Sequence, residues 1–146
     1  MKKYISQSPA DTAAAAAEFA GQLHGGDVVA FTGDLGAGKT FFTSACVRAL
    51  GAEAQASSPT FAIVNDYGAD AAGRHVYHFD MYRVTDWDSL YSTGFYDYLT
   101  PDSILFVEWS ENIDGALPEN AIRVDISKGE AENARLITIT GGDGRW

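Results

Sequence analysis

The chain has one cysteine, four prolines and ten Lys plus Arg residues in 146. Cys46 alone closes no internal disulfide, so a reducing, cytoplasmic setting is expected. No stretch approaches the ~18 consecutive apolar residues of a membrane span. The start, MKKYISQSPAD, carries two lysines with no apolar run behind them, so it does not read as a secretory signal. There is no cysteine cluster, and His75 and His78 fit no metal-ligand spacing, which argues against zinc. Positive charge is the scarcest resource: the net charge is −10. That argues against autonomous binding to a nucleic-acid backbone, which needs clustered Lys and Arg. From Val84 to Ile122 there is no Lys or Arg, whereas Asp86, Asp88, Asp97, Asp102, Glu108, Glu111, Asp114 and Glu119 all fall there. The stretch reads as a solvated acidic face or as a docking surface for a basic partner.

What is present suits one globular domain over residues 1–146: 46% apolar and 21% charged residues, with length enough to bury a core unaided. Ser8-Pro9-Ala10-Asp11 reads as a helix start, with Ser8 as cap and Pro9 in the first turn. Ala16, Phe19, Ala20 and Leu23 follow at helical spacing, and His24-Gly25-Gly26 is the expected stop. Val28–Phe31 reads as a buried strand, and a second helix is expected from Lys39 to Leu50, closed by Gly51. Phe61–Tyr67 and His75–Tyr82 suggest paired strands. Asp86 is placed to cap a short helix holding Leu90 and Tyr91 and broken near Gly94. Ile104–Val107 is a wholly apolar strand ending on Glu108, and Ala121–Ile126 with Arg135–Thr140 suggest a terminal hairpin. The fold expected is an α/β sandwich with a mixed sheet flanked by helices.

Chemistry enters with Gly33-Asp34-Leu35-Gly36-Ala37-Gly38-Lys39-Thr40, which matches G-x-x-x-x-G-K-[ST] between a strand and a helix. Glycines let the backbone approach a phosphate and turn its N–H groups inward at a helix N-terminus. Lys39 supplies a point charge for the β- and γ-phosphates, and Thr40 a hard oxygen for Mg²⁺. It is the only lysine between Lys3 and Lys128, so no neighbour in the sequence replaces it. Asp80 and Glu108 each end an apolar strand, where open α/β sheets keep their ligands. One such acid holds Mg²⁺ or its water, and another orients the attacking water. Ser58-Pro59-Thr60-Phe61 is a plain turn or a switch that places Thr60 on a phosphate. Trp109, next to Glu108, either belongs to the core or walls the site.

Small-molecule kinases clamp the transferred phosphoryl group with lid arginines, and none lies between Arg83 and Arg123. No Asn-Lys-x-Asp loop is present to read guanine, so ATP is the expected nucleotide. A phosphotransferase, and a nucleotide-gated binding module without turnover, stand as alternatives to an ATPase.

The blocks GDLGAGKT, SPTF, YHFDMYR and VEW, in this order and at these separations, resemble the bacterial TsaE family. The likeness runs from the helix start at Ser8–Thr12 to the hairpin at Arg135. It implies a P-loop ATPase that acts with TsaD and TsaB in tRNA threonylcarbamoyladenosine synthesis. In that scheme slow ATP hydrolysis resets the complex, and tRNA is met only through it. The resemblance implies ATP and Mg²⁺, with Thr40 and Glu108 on the metal and Lys39, Asp80 and Glu108 needed for turnover. The nucleotide contacts it implies are Asp34, Leu35, Gly36, Ala37, Gly38, Lys39, Thr40, Phe41, Thr60, Asp80, Trp109 and Arg135, with the Pro9–Thr12 segment beside them.

Overall fold

The computed structural model describes residues 1–34, 36–52 and 64–146. Seven strands form one sheet in the order β1-β7-β6-β2-β5-β4-β3. The central strands β6 (Ile122–Lys128), β2 (Val28–Gly33), β5 (Ser103–Glu108) and β4 (His75–Asp80) run parallel. Antiparallel strands close both sides: β7 (Arg135–Gly141) and β1 (Lys2–Ser6) at one edge, β3 (Val64–Ala69) at the other. The mixed α/β sheet expected from the alternation of strands and helices is thus observed.

Helices α1 (Pro9–Ala20) and α2 (Lys39–Leu50) cover one face. There Phe19, Phe42, Cys46 and Val47 pack on Val29, Phe31, Phe106, Val124 and Ile139. The short α3 (Trp87–Ser92) and two 3-10 segments (Phe95–Tyr98 and Ser110–Ala116) cover part of the other. Leu90, Phe95 and Ile113 pack there on Val28, Phe79, Leu105 and Val107. β2 and β5 are buried on both faces, which explains their unbroken apolar runs.

Local chemistry sets the boundaries. At α1 the Ser8 hydroxyl accepts from Asp11 N at 3.1 Å and Pro9 takes the first helical position. The Asp11 carboxylate accepts in return from Gln7 N, one residue earlier than a capping box would have it. Ser8→Ala should therefore lower stability by about 1 kcal/mol, read as a shift in the urea midpoint at constant slope.

Two elements depart most from the sequence expectation, while β4 ends at Asp80 rather than Tyr82 and β6 runs on to Lys128 rather than Ile126. α1 ends at Ala20, with Gly21 as its C-cap, rather than at His24–Gly26. Gly21 is a poor helix former, and tighter bonds from Gln22 N to Phe19 O and Leu23 N to Ala20 O still deliver Leu23 to the core. β1 was not foreseen from its sequence, because KKYIS has two lysines and only Tyr4 of it packs on the apolar core. It pairs along β7 as an edge strand, where lysines discourage further pairing.

The β3–β4 turn is tied down by Asp70. Its carboxylate accepts from Ala72 N, Arg74 N and Arg74 Nε, and the Arg74 guanidinium donates onward to Leu23 O at 2.6 Å. Burial pushes the Asp70 carboxyl upward, but the bonds from Arg74 and Ala72 outweigh it and hold the group below its ordinary value. A carboxyl depressed in the folded state adds stability above its unfolded pKa and loses it as pH falls through the folded pKa. Asp70→Asn should cost about 2 kcal/mol at neutral pH and flatten the acid-side fall in stability, measured by urea unfolding across pH.

Candidate functional site

The loop after β2 is shaped by glycines. Gly33 has φ 120°, and a Cβ there would lie 2.0 Å from Ile126 O. No side chain fits at that position, and the close approach lets Asp34 N continue onto Ile126 O at 3.2 Å. Gly36 and Gly38 also have positive φ, and α2 starts directly after Gly38 without a side-chain cap. The amides of a 12-residue helix start therefore face the loop, which is the arrangement that binds phosphate.

Lys39 is only 7% exposed. Its Nζ reaches back across the loop to Gly33 O at 3.3 Å and lies 5.3 Å from the centre of the Trp109 ring. Trp109 thus walls the lysine. It does so from a left-handed backbone conformation (φ 57°) rare outside glycine, which breaks the chain direction directly after β5.

The two strand-end acids are register partners on adjacent parallel strands, Asp80 beside Glu108. They differ in setting. Glu108 is buried, and the Thr40 hydroxyl donates to both its carboxylate oxygens, at 3.0 and 3.1 Å. His78 Nε2 is 2.6 Å from Glu108 Oε2, at an angle that falls short of a linear hydrogen bond. Burial pushes the Glu108 carboxyl upward, while His78, Thr40 and Lys39 together outweigh it and hold the group below its ordinary value. It is an anion throughout the neutral range. Asp80 is exposed, and its Oδ1 accepts from Tyr82 N at 3.0 Å. The structure thus joins Thr40 to Glu108 and leaves Asp80 at the mouth.

Arg135 approaches from β7, its Nε donating to Ala37 O at 2.8 Å. Beside it lies a pocket of about 160 Å³ lined by Pro9, Thr12, Ala37, Gly38, Phe41, Asn133 and Arg135. Residues far apart in the chain, from the α1 start, the loop, the α2 start and the β7 start, therefore share one cavity. Asp34 turns its carboxylate to Lys128 N at 3.1 Å. Leu35, Thr60 and the whole SPTF segment lie outside the described residues.

Sequence reasoning missed four neighbours of the site. His78 is two residues before Asp80 on β4, so it shares a face with it, and this spacing was the available signal. Tyr67 on β3 lies close enough that the Glu108 charge, after burial, raises its phenol above the ordinary value. Asn133 enters through the β6–β7 turn. Lys128 corrects the expectation that Lys39 stands alone: a Cβ at Gly36 would sit 3.6 Å from Lys128 Nζ, so a second ammonium borders the loop in space.

Three comparisons bear on this geometry. Residues 6–137 match the family model described as threonylcarbamoyl adenosine biosynthesis protein TsaE. The chain is 42% identical over 114 residues to the tRNA threonylcarbamoyladenosine biosynthesis protein TsaE of Haemophilus influenzae, covering 77% of this chain and 71% of that one. It is 33% identical over 144 residues to the Bacillus subtilis protein of the same name, covering 99% and 88%. The crystal structure of Bacillus subtilis YdiB superposes with a TM-score of 0.75 at 30% identity, over 96% of this chain and 84% of that one.

Proposed function

The chain belongs to the TsaE family, and we propose that it serves tRNA threonylcarbamoyladenosine biosynthesis as a P-loop ATPase that binds Mg²⁺-ATP and acts with TsaD and TsaB. The observation that carries the reading is the Thr40 hydroxyl held against the Glu108 carboxylate at the mouth of a glycine loop.

The residues suit the ligands. Gly33, Gly36 and Gly38 keep the loop free of side chains, and the amides at the start of α2 offer donors to a β-phosphate. Lys39, buried against Trp109, presents its charge in a setting of low dielectric. Thr40 and Glu108 supply the one or two hard oxygens that Mg²⁺ takes from a protein beside phosphate and water. When bound, the ion neutralises charge that develops on the phosphate oxygens. His78 fixes the Glu108 carboxylate in place, so that its oxygens stay turned to Thr40. Asp80, exposed beside Glu108, orients the attacking water.

The cavity beside Arg135 takes the nucleoside, with the Pro9 ring and the Phe41 side chain on its walls. Among the described residues no carboxylate lines it, whereas guanine offers two ring-edge donors that a carboxylate would meet; adenine suits it better. Binding energy then goes into positioning and charge stabilisation.

The test is phosphate release from ATP by the purified chain, alone and with TsaD and TsaB. Slow release that the partners raise several-fold supports the reading. Transfer of γ-phosphate to a small hydroxyl compound, or ATP held unhydrolysed with partners present, would replace it with a phosphotransferase or a gated binding module.

A further inference from the structure

We infer that the groove between α3 and the Ser110–Ala116 segment is a docking site for a basic protein segment that inserts one bulky apolar side chain. The inference deepens the proposed function, since it gives the partner complex a place to bind. A cavity of about 380 Å³ lies there, larger than the one beside Arg135, and the buried Val84, Leu90 and Ile113 give it an apolar floor. Trp87 stands at its edge, 58% exposed; Tyr91, one turn along α3 and 68% exposed, lines a neighbouring cavity with Gly94, Tyr96 and Asp97. Trp87 packs against Gly115 and Tyr91 against the Tyr96 ring, yet both keep more than half of their surface in water, and large aromatic side chains so placed anchor protein interfaces.

Charge selects the occupant. Asp86, Asp88 and Glu111 belong to the helix start and the 3-10 segment on either side of the groove, within the Val84–Ile122 stretch that has no Lys or Arg. Asp114 in the same segment is met by Arg123, at 3.0 Å, on an exposed surface. The flanking acids repel nucleic acid, anionic lipid and a second copy of this chain at −10, and attract a partner's Arg or Lys.

A relay of contacts also links the groove to the nucleotide loop. Asn112 lines it and donates its side-chain N–H to Met81 O at 2.9 Å. Tyr82, the next residue, meets Trp109 edge-on at 4.9 Å, and Trp109 walls Lys39. An occupant of the groove thus touches the segment that begins where Glu108 ends.

The test uses the full chain with TsaD and TsaB and Mg²⁺-ATP, comparing wild type, Trp87→Ala and Asp88→Lys by isothermal titration. Both positions are exposed and lie outside the nucleotide site, so ATP affinity of the chain alone should stay at the wild-type value. Partner affinity should fall about 30-fold for Trp87→Ala. For Asp88→Lys it should fall about tenfold at low salt, with a smaller loss at high salt. Wild-type binding that both variants retain within about twofold overturns the groove and leaves the proposed function standing. Wild-type chain that binds neither protein overturns both, and retention of tRNA by the chain alone, lost in Trp87→Ala, overturns the choice of a protein occupant.

Discussion

Lys39→Ala should lower ATP turnover by ~100-fold or more, on the scale seen when one donor to a developing oxyanion is removed. The reason lies in where the ammonium sits. Lys39 is buried, held across the loop to Gly33 O, and backed by the Trp109 ring. A charge so shielded from water acts at close to full strength on a phosphate in the loop. Lys128, the other ammonium near Gly36, belongs to an exposed residue whose backbone is fixed by Asp34. It stands at the loop's rim and cannot follow the phosphate into the space Lys39 leaves. Lys128→Ala should therefore cost no more than about tenfold, since solvent screens its charge. Steady-state phosphate release with partners present measures both. Lys39→Ala with unimpaired turnover would remove the lysine from the chemistry.

The second large effect concerns the two acids. Glu108→Ala should raise the Mg²⁺ concentration for half-maximal turnover by at least about tenfold, and cut the maximal rate by ~100-fold. Asp80→Ala should cut the rate while moving the Mg²⁺ midpoint by no more than about threefold. Geometry is the ground for the split: Glu108 holds the Thr40 hydroxyl through both oxygens, whereas Asp80 spends one oxygen on its own turn at Tyr82 N. Glu108→Ala also strips His78 of its partner, so Glu108→Gln, which keeps the shape, should show the same Mg²⁺ shift without that loss of packing. Titration of turnover against Mg²⁺ decides the matter, and equal shifts or the reverse order would exchange the roles.

The sequence was most legible where a rule has one physical solution. α2 runs from Lys39 to Leu50 as its spacing predicts, because Gly51 takes the left-handed cap that few residues accept. Glu108 could be picked out because an apolar run ending in an acid places that acid at the sheet's rim. Less was legible where the fold, rather than the local chain, makes the neighbourhood. β1 gains its pairing from β7 at the other end of the chain, Lys2 on Ile139 and Ser6 on Arg135, and has little apolar pattern of its own. His78 joins Glu108 only through the register of β4 on β5, and Asn133 joins Thr12 only because the β6–β7 turn folds over the start of α1. Lys128 was separated from Lys39 in the sequence and is brought to the same loop by the pairing of β6 with β2. No motif could have named these, since each depends on a long-range pairing.

The acidic stretch illustrates the same point from the other side. Composition left open whether Val84–Ile122 meets water or a basic partner. The fold divides it: Glu108 turns into the nucleotide site, and Asp86 caps α3 through Ser89. Asp88 and Glu111 stay exposed on the two elements that line the groove. A run of like charges was therefore three different things, separated by the burial and partners of each carboxylate.

The most direct measurement is a crystal structure of the chain with Mg²⁺ and a non-hydrolysable ATP analogue. The account predicts the β-phosphate on the amides of the Gly36–Thr40 loop and Lys39 swung from Gly33 O onto the phosphates. It also predicts the metal on Thr40 Oγ1, with Glu108 beside it, and the base against Arg135 and Phe41. An analogue bound elsewhere, or a metal held away from Thr40 and Glu108, would contradict it.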